Sequence, residues 1–340
     1  MKTARFLSIL VIIAMLVSFA ACGSSGGNIS EQSRTGTATD TAAETEEQIK
    51  GVPDDVTKVI LLSGQSNAVG YTYRNFFETN DYYKQFYSTE RLAAADAGYP
   101  DILIRYSNNA LDPDQDTCGN DTFEPVRFGM GARNVEYKEE WGLPFGPEMG
   151  IAEYLTEKFP GEKFYIIKCA TSGANISNRF NPDKTSDPKN LVPQLISFAK
   201  ESLEELKSQG LKPEIISFCW VHGGTDAEEG FSSLYAGVFG RLVNKIETEL
   251  AEYMPKNGMS IADAGVRASN TNYEEMNAAK QAFAEKSSKR YYFDTMWFLA
   301  GRDHYDRGHY DCYPMIQVGN SLGECIEKAM EDYGNPAVLK

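Results

Sequence analysis

The sequence predicts an α/β protein, a three-layer αβα sandwich with a central parallel sheet of about five strands. Three observations predict it. Short, nearly continuous apolar runs recur at 58–62, 164–169, 215–221, 261–266 and 291–293, as expected of strands covered on both faces. Segments with helical spacing alternate with them at 147–158, 191–209, 233–253, 273–286 and 315–332, and such alternation argues for helices packed on both sides of a parallel sheet. The residues able to carry chemistry fall just after the strand runs, where open α/β sheets bind ligands.

In chain order, the first element is not part of that sandwich. Residues 1–22 carry Lys2 and Arg5, then an apolar run at 6–17, then Ala20-Ala21-Cys22. That pattern reads as a secretory signal with a small-residue cleavage site, and its apolar run is shorter than the ~20 residues a spanning helix needs. A cysteine after two alanines resembles a lipoprotein processing site, although Phe19 departs from the usual leucine. The expectation is a lipid anchor on Cys22. Residues 23–51 are rich in Gly, Ser, Thr, Ala and Glu with almost no large apolar residue, which predicts a disordered linker. Residues 52–340 are then long enough for one domain with a substantial core.

Within that domain, Pro147 suits a first helical turn and Gly210 a helix stop. The stretch 71–146, rich in Tyr, Asn, Asp and Gly, reads as an irregular insertion after the first strand. Its tyrosines, including Tyr71, Tyr73, Tyr82 and Tyr83, are candidates either for stacking on sugar rings or for packing.

The formal charge of -15 grows by two negative units once a signal bearing Lys2 and Arg5 is removed. So acidic a surface repels phosphate backbones and argues against nucleic acid as a partner. Besides Cys22 there are five cysteines, with no CxxC spacing. Cys169 and Cys219 lie in strand-like runs and are expected as buried thiols, whereas Cys118 and Cys312, in polar segments, are candidates for a bridge.

Four blocks carry the chemistry. Directly after the first strand comes Gly64-Gln65-Ser66-Asn67, a tight strand-to-helix turn that would expose a serine at the sheet edge beside N–H groups able to meet an oxyanion. After the second strand run stands Lys168-Cys169-Ala170-Thr171-Ser172-Gly173-Ala174-Asn175, and after the third Trp220-Val221-His222-Gly223-Gly224-Thr225-Asp226. Before the final helix comes Asp303-His304-Tyr305-Asp306-Arg307-Gly308-His309-Tyr310. There Asp306 and His309 have the Asp-x-x-His spacing that puts a base and its orienting carboxylate on one loop.

These blocks resemble those of the SGNH hydrolases, in the sialate O-acetylesterase and acetylxylan esterase branch, also called the sixth carbohydrate-esterase family. Further similarity lies in Phe145-Gly146-Pro147-Glu148-Met149, to which no chemistry is assigned, and in Gln317-Val318-Gly319. The resemblance implies a flavodoxin-like SGNH fold and a serine esterase that removes O-acetyl groups from carbohydrates without a cofactor. It makes Ser66 the nucleophile, His309 the base and Asp306 its partner, with Ser66, Gly173 and His222 around the oxyanion and Gln65 and Asn67 as substrate contacts, although His222 reads equally well as a buried, hydrogen-bonded histidine. The departures are Ser172, Ala174, His222 for a glutamine and Gly224 for a glutamate. Asp226 is expected as a helix cap.

Alternatives remain open at this point. Asp303 and His304 compete for the triad roles, and with Asp306, His309 and Asp311 they form a carboxylate and histidine group whose spacing fits no metal-ligand pattern, so no metal is expected. A tethered glycan-binding lipoprotein without turnover, or a lipase or thioesterase of the same superfamily, are the competing functions. The expected substrate is acetylated hemicellulose or O-acetyl sialic acid, on the extracellular face of a bacterial envelope, with membrane contact only through the anchor at Cys22.

Overall fold

The computed structural model describes residues 51–300, 302 and 308–339. The signal, the anchor at Cys22 and all of the linker except Gly51 lie outside the described residues.

The chain enters the sheet through β1 (Thr57–Gly64), makes a single turn of helix, α1 (Ser66–Val69), and then runs into the insertion. The insertion holds β2 (Thr72–Tyr73), α2 (Phe76–Thr79), α3 (Thr89–Ala97), β3 (Tyr99–Asn108), β4 (Cys118–Gly119), β5 (Glu124–Val126) and β6 (Pro144–Phe145). After it come α4 (Glu148–Lys158), β7 (Phe164–Ala170), α5 (Val192–Ser208), β8 (Pro213–Val221), α6 (Gly224–Glu228), α7 (Ser232–Glu249), β9 (Ser260–Ala264), α8 (Tyr273–Ala284), β10 (Arg290–Phe293) and α9 (Cys312–Glu331).

The sheet order is β10-β9-β8-β1-β7-β3-β4, with β5 also on β3. Strands β10, β9, β8, β1, β7 and β3 pair in parallel, and β4 and β5 pair antiparallel to β3. All five expected strands are present, and the insertion adds β3 as a sixth parallel one. The chain leaves β1 for β7 on one side and later reaches β8 on the other, so β1 sits where the order reverses. In such sheets the crevice at that point is the binding site.

Alternate residues of β1 divide the core. Ile60 and Leu62 join Ile151, Leu155, Met315 and Leu322 of α4 and α9, whereas Val59 and Leu61 join Leu195, Leu203, Phe239, Leu242 and Phe283 of α5, α7 and α8. Each strand residue is thus buried on whichever face it points to, which is why the strand sequences read as continuous apolar runs.

Cys118, Cys169, Cys219, Cys312 and Cys325 are all free thiols. Cys169 and Cys219 are buried as expected, but Cys118 and Cys312 form no bridge, because Cys312 is the fully buried first residue of α9 and not a loop residue. Among the described residues no helix is long and apolar enough to cross a membrane.

Candidate active site

The serine turn depends on its glycine. Gly64 ends β1 with φ +146°, and a Cβ there would lie 2.1 Å from the Val221 carbonyl oxygen, so any side chain would push β1 away from β8. With none, the Gln65 N–H donates to Val221 O at 3.1 Å and the Thr171 N–H donates to Gly64 O at 3.2 Å. Ser66 follows as the first residue of α1, nearly buried. Its N–H has no acceptor inside the helix, as for any first-turn residue.

The two neighbours of Ser66 are engaged within the protein. Gln65 Oε1 accepts from the Gly223 N–H at 3.1 Å and the Thr225 N–H at 3.4 Å. Asn67 donates through Nδ2 to Gly308 O at 3.4 Å and accepts through Oδ1 from the Tyr310 N–H at 3.1 Å. Those two residues flank His309, so the residue after Ser66 grips the loop of the expected base on both sides. The His309 ring lies 5.0 Å from the Tyr71 ring, and the His309 carbonyl accepts from Arg267 at 3.0 Å. Asp303, His304 and Asp306 lie outside the described residues. Asp311, fully buried, accepts from the Tyr83 hydroxyl at 2.6 Å and from the Arg302 N–H at 3.1 Å, which gives it a structural task.

On the other side of Ser66, Gly173 has φ +65° and open space where a Cβ would stand. The preceding Ser172 N–H donates to Asn109 Oδ1 at 2.9 Å, and the Asp226 carboxylate accepts from the Ile176 N–H at 2.9 and 3.1 Å. Asp226 is therefore not a helix cap. It lies inside α6 and anchors the turn that carries Gly173, because its helix points it across to the end of β7.

Of the two readings of His222, the structure favours the buried one and corrects the oxyanion role. Its side chain has no exposed surface. The ring stacks on Trp220 at 4.6 Å and 17°, and Nδ1 lies 3.4 Å from the Tyr235 hydroxyl. A ring with no exposed surface cannot donate to an oxyanion on substrate, and only the backbone of His222 reaches the cleft. Burial, and then the nearby Lys280 charge, hold its pKa well below the usual value, so it is a neutral core imidazole. Burial raises Asp226 to about 7 against the lowering effect of the Ile176 and Ser177 amides.

Next to Asn67 is a small recess of about 30 Å³, lined by Gln65, Asn67, Gly224, Arg267, Asn270 and Tyr310 among others. A Cβ at Gly224 would stand 3.0 Å from Gln65 Nε2 and 3.2 Å from Asn270 Nδ2, so the departure from glutamate leaves this space open. Arg267 and Asn109 were not singled out from sequence. Arg267 follows β9, where a position after a parallel strand was itself a signal; Asn109 follows β3, the strand hidden in the insertion.

Tyr71, Tyr73 and Tyr83 are buried and so pack the core instead of offering faces to sugars. Among the described residues no three His, Cys, Asp or Glu converge as a metal site.

Comparison with known proteins gives the family. The sequence matches, over residues 56–328, the family described as carbohydrate esterase, sialic acid-specific acetylesterase, and the chain belongs to that family. It is a carboxylic ester hydrolase. Solved structures share the fold at low identity. A protein from Arabidopsis thaliana is 16% identical, covering 81% of this chain and 99% of its own, with a TM-score of 0.56. NanS is 14% identical over 81% of this chain and 97% of its own, with a TM-score of 0.55. A carbohydrate acetylesterase from Xanthomonas citri is 13% identical over 80% of this chain and 56% of its own, with a TM-score of 0.50. No curated protein matches the sequence.

Proposed function

We propose that this esterase removes O-acetyl groups from a carbohydrate by a serine mechanism, with Ser66 as nucleophile, His309 as base and Asp306 orienting the imidazole. Ser66 Oγ attacks the acetyl carbonyl as its proton passes to His309. The oxyanion is met by the Ser66 and Gly173 N–H groups. The bond to the sugar oxygen then breaks, and His309 returns the proton to the departing hydroxyl. Water, deprotonated by His309, attacks the acetyl-serine and releases acetate with Ser66 restored.

One observation carries this reading. Residues Gly64 to Asn67 are hydrogen-bonded to each of the other three blocks: to Thr171, two residues before Gly173, to Val221 and Gly223, and to the two residues flanking His309. Distant segments are thus held around one serine. The family description supports O-acetyl sialic acid as one substrate, and acetylated hemicellulose is the other arm of the test. From the signal pattern of residues 1–22 and Ala20-Ala21-Cys22 we further propose that the enzyme lies outside the cell, tethered through a lipid on Cys22; Cys22→Ser would then release it from membranes or block its processing.

The test uses aryl acetates, acetylated hemicellulose and O-acetyl sialic acid as substrates for the purified protein. Ser66→Ala and His309→Ala are each expected to lose at least ~10³-fold in turnover, and a serine-directed phosphonate should label Ser66. His304→Ala should lose far less. Turnover surviving Ser66→Ala would overturn the assignment, and glycan binding without hydrolysis in the wild type would favour the binding-protein reading.

A further inference from the structure

Two polar residues in apolar surroundings have no part in the chemistry above. Lys168 interrupts the apolar strand β7, and Glu148 opens α4. Both side chains have zero exposure and pair at 2.8 Å. A buried ion pair is expensive to desolvate, and apolar replacements of similar volume are often neutral or stabilising. Stability alone is therefore a weak reason for this one.

What the pair holds suggests another. Besides Glu148 Oε2, the Lys168 ammonium donates to Val69 O at 2.8 Å and to Met130 O at 3.0 Å. All three of its N–H groups are thus used. The other Glu148 oxygen, Oε1, accepts from the Gly146 N–H at 2.7 Å. Val69 is the last residue of α1, and Ser66 is the first. A helix of one turn cannot hold itself, since nucleation costs more than one hydrogen bond returns. Its start is fixed by Gln65 on Val221; its end is held by Lys168.

We propose that Lys168 and Glu148 are a positioning pair, which fixes the far end of α1 and so sets where Ser66 Oγ stands against the acetyl carbonyl. A lysine suits the task because one ammonium reaches three separate segments: the helix end, the insertion at Met130, and the turn at Gly146 through Glu148. A methionine of similar length would fill the space and grip none of them. Neither residue touches substrate. The proposal rests on Ser66 being the nucleophile.

The experiment compares the wild type with Lys168→Met, Glu148→Gln and the double variant Lys168→Met/Glu148→Leu, reading Tm, kcat and KM for an aryl acetate and the rate of phosphonate labelling at Ser66. Lys168→Met leaves Glu148 buried without its cation and should lower Tm. In the double variant Tm should return to near the wild-type value, yet kcat and labelling should stay down about 10- to 100-fold, the loss expected when a reacting group is misplaced by about 1 Å. KM should stay within about threefold. If kcat recovers along with Tm, the pair is structural only and the proposal is overturned. Should the double variant not fold, Glu148→Gln decides: it keeps the shape and loses the charge, and a kcat equal to the wild type overturns the proposal, whereas a fall of about tenfold at unchanged KM supports it. Ser66→Ala separates this from the earlier reading, because full turnover in that variant removes the nucleophile assignment itself, whatever the pair does.

Discussion

Two lysines lie fully buried on opposite faces of the same sheet. Lys168 sits beneath α1 with Glu148, and Lys280, from α8, lies 2.5 Å from Asp263. Each ammonium has three partners, and each holds a backbone carbonyl next to a site turn: Val69 O for Lys168, His222 O at 2.9 Å for Lys280. The remaining partners differ. Lys168 takes a second backbone carbonyl and one carboxylate. Lys280 takes the Tyr235 hydroxyl at 3.0 Å, and around it stand His222, Asp226 and Asp263, all titratable. Burial lowers Lys280 and raises Asp263 to about 6. The contrast teaches that one kind of group, a buried lysine, serves as a fixed grip on backbone in one place and as the cation of a polar network in the other.

The largest effect is expected from removing the second cation. Lys280→Met leaves Asp263 buried without its counter-charge and should cost about 3–5 kcal/mol in urea unfolding. At a temperature where the variant is folded, kcat for an aryl acetate should remain within about threefold of wild type. A kcat more than about tenfold lower in folded protein would break the contrast, since it would mean that Lys280 also acts on the site, through the carbonyl of His222.

A smaller effect is expected at Asn67. Asn67→Ala removes both bonds that hold the residues flanking His309, at a stability cost on the order of 1 kcal/mol per hydrogen bond. The loosened base should lower kcat by about tenfold or more, with little change in KM. An unchanged kcat would show that Tyr71 and Arg267 hold His309 well enough alone, which would confine the sensitive grip to the Lys168 side.

These grips were the part that sequence could not reveal. The strands β1, β7, β8 and β9 were legible because burial on both faces makes them continuous apolar runs, and β10, a half-buried edge strand, was legible from its aromatic run Tyr291-Tyr292-Phe293. Strand β3 was missed because it lies toward the edge of the sheet and alternates, with Ile102, Ile104 and Tyr106 buried between more exposed Asp101, Leu103 and Arg105, inside a stretch otherwise rich in turn residues. The helices fell within a few residues of expectation, as periodicity allows. In the site, the blocks located the turns, since each must follow a strand. The partners of Gln65, Asn67 and Lys168 lie across the chain, with Asn67 and Gly308 241 positions apart. No local pattern records such a pairing. His222 misled for the same reason: the resemblance gave its place in the motif but not which way the ring points, and Trp220 and Tyr235 decide that.

The last effect concerns the pH dependence of the Lys280 network, and Asp226 is the place to read it. Burial, with a lesser contribution from Glu229, holds its folded pKa at about 7, against an ordinary value of 3.8. Between about pH 4 and 7 the folded protein therefore keeps a proton that the unfolded chain has released. Stability must then fall as pH rises through that window and level off above it. Asp263 acts in the same direction up to about 6. His222 acts oppositely, because its depressed pKa means that the unfolded chain binds the extra proton below about 6.5, so its contribution is lost as pH falls. Asp226→Asn removes the first of these, and in doing so replaces the carboxylate that lies 3.5 Å from His222 Nδ1. Its amide oxygen can still accept from the Ile176 N–H, and it resembles the protonated acid in charge and shape. Urea unfolding at pH 5 and pH 8 should show the wild type losing more stability across the interval than the variant. At pH 8, where the wild type bears the buried charge and the variant does not, the variant should be the more stable. Equal losses across the interval would mean that Asp226 ionises near its ordinary value, and the Lys280 side would then be as indifferent to pH over this range as a grip made mainly on backbone carbonyls.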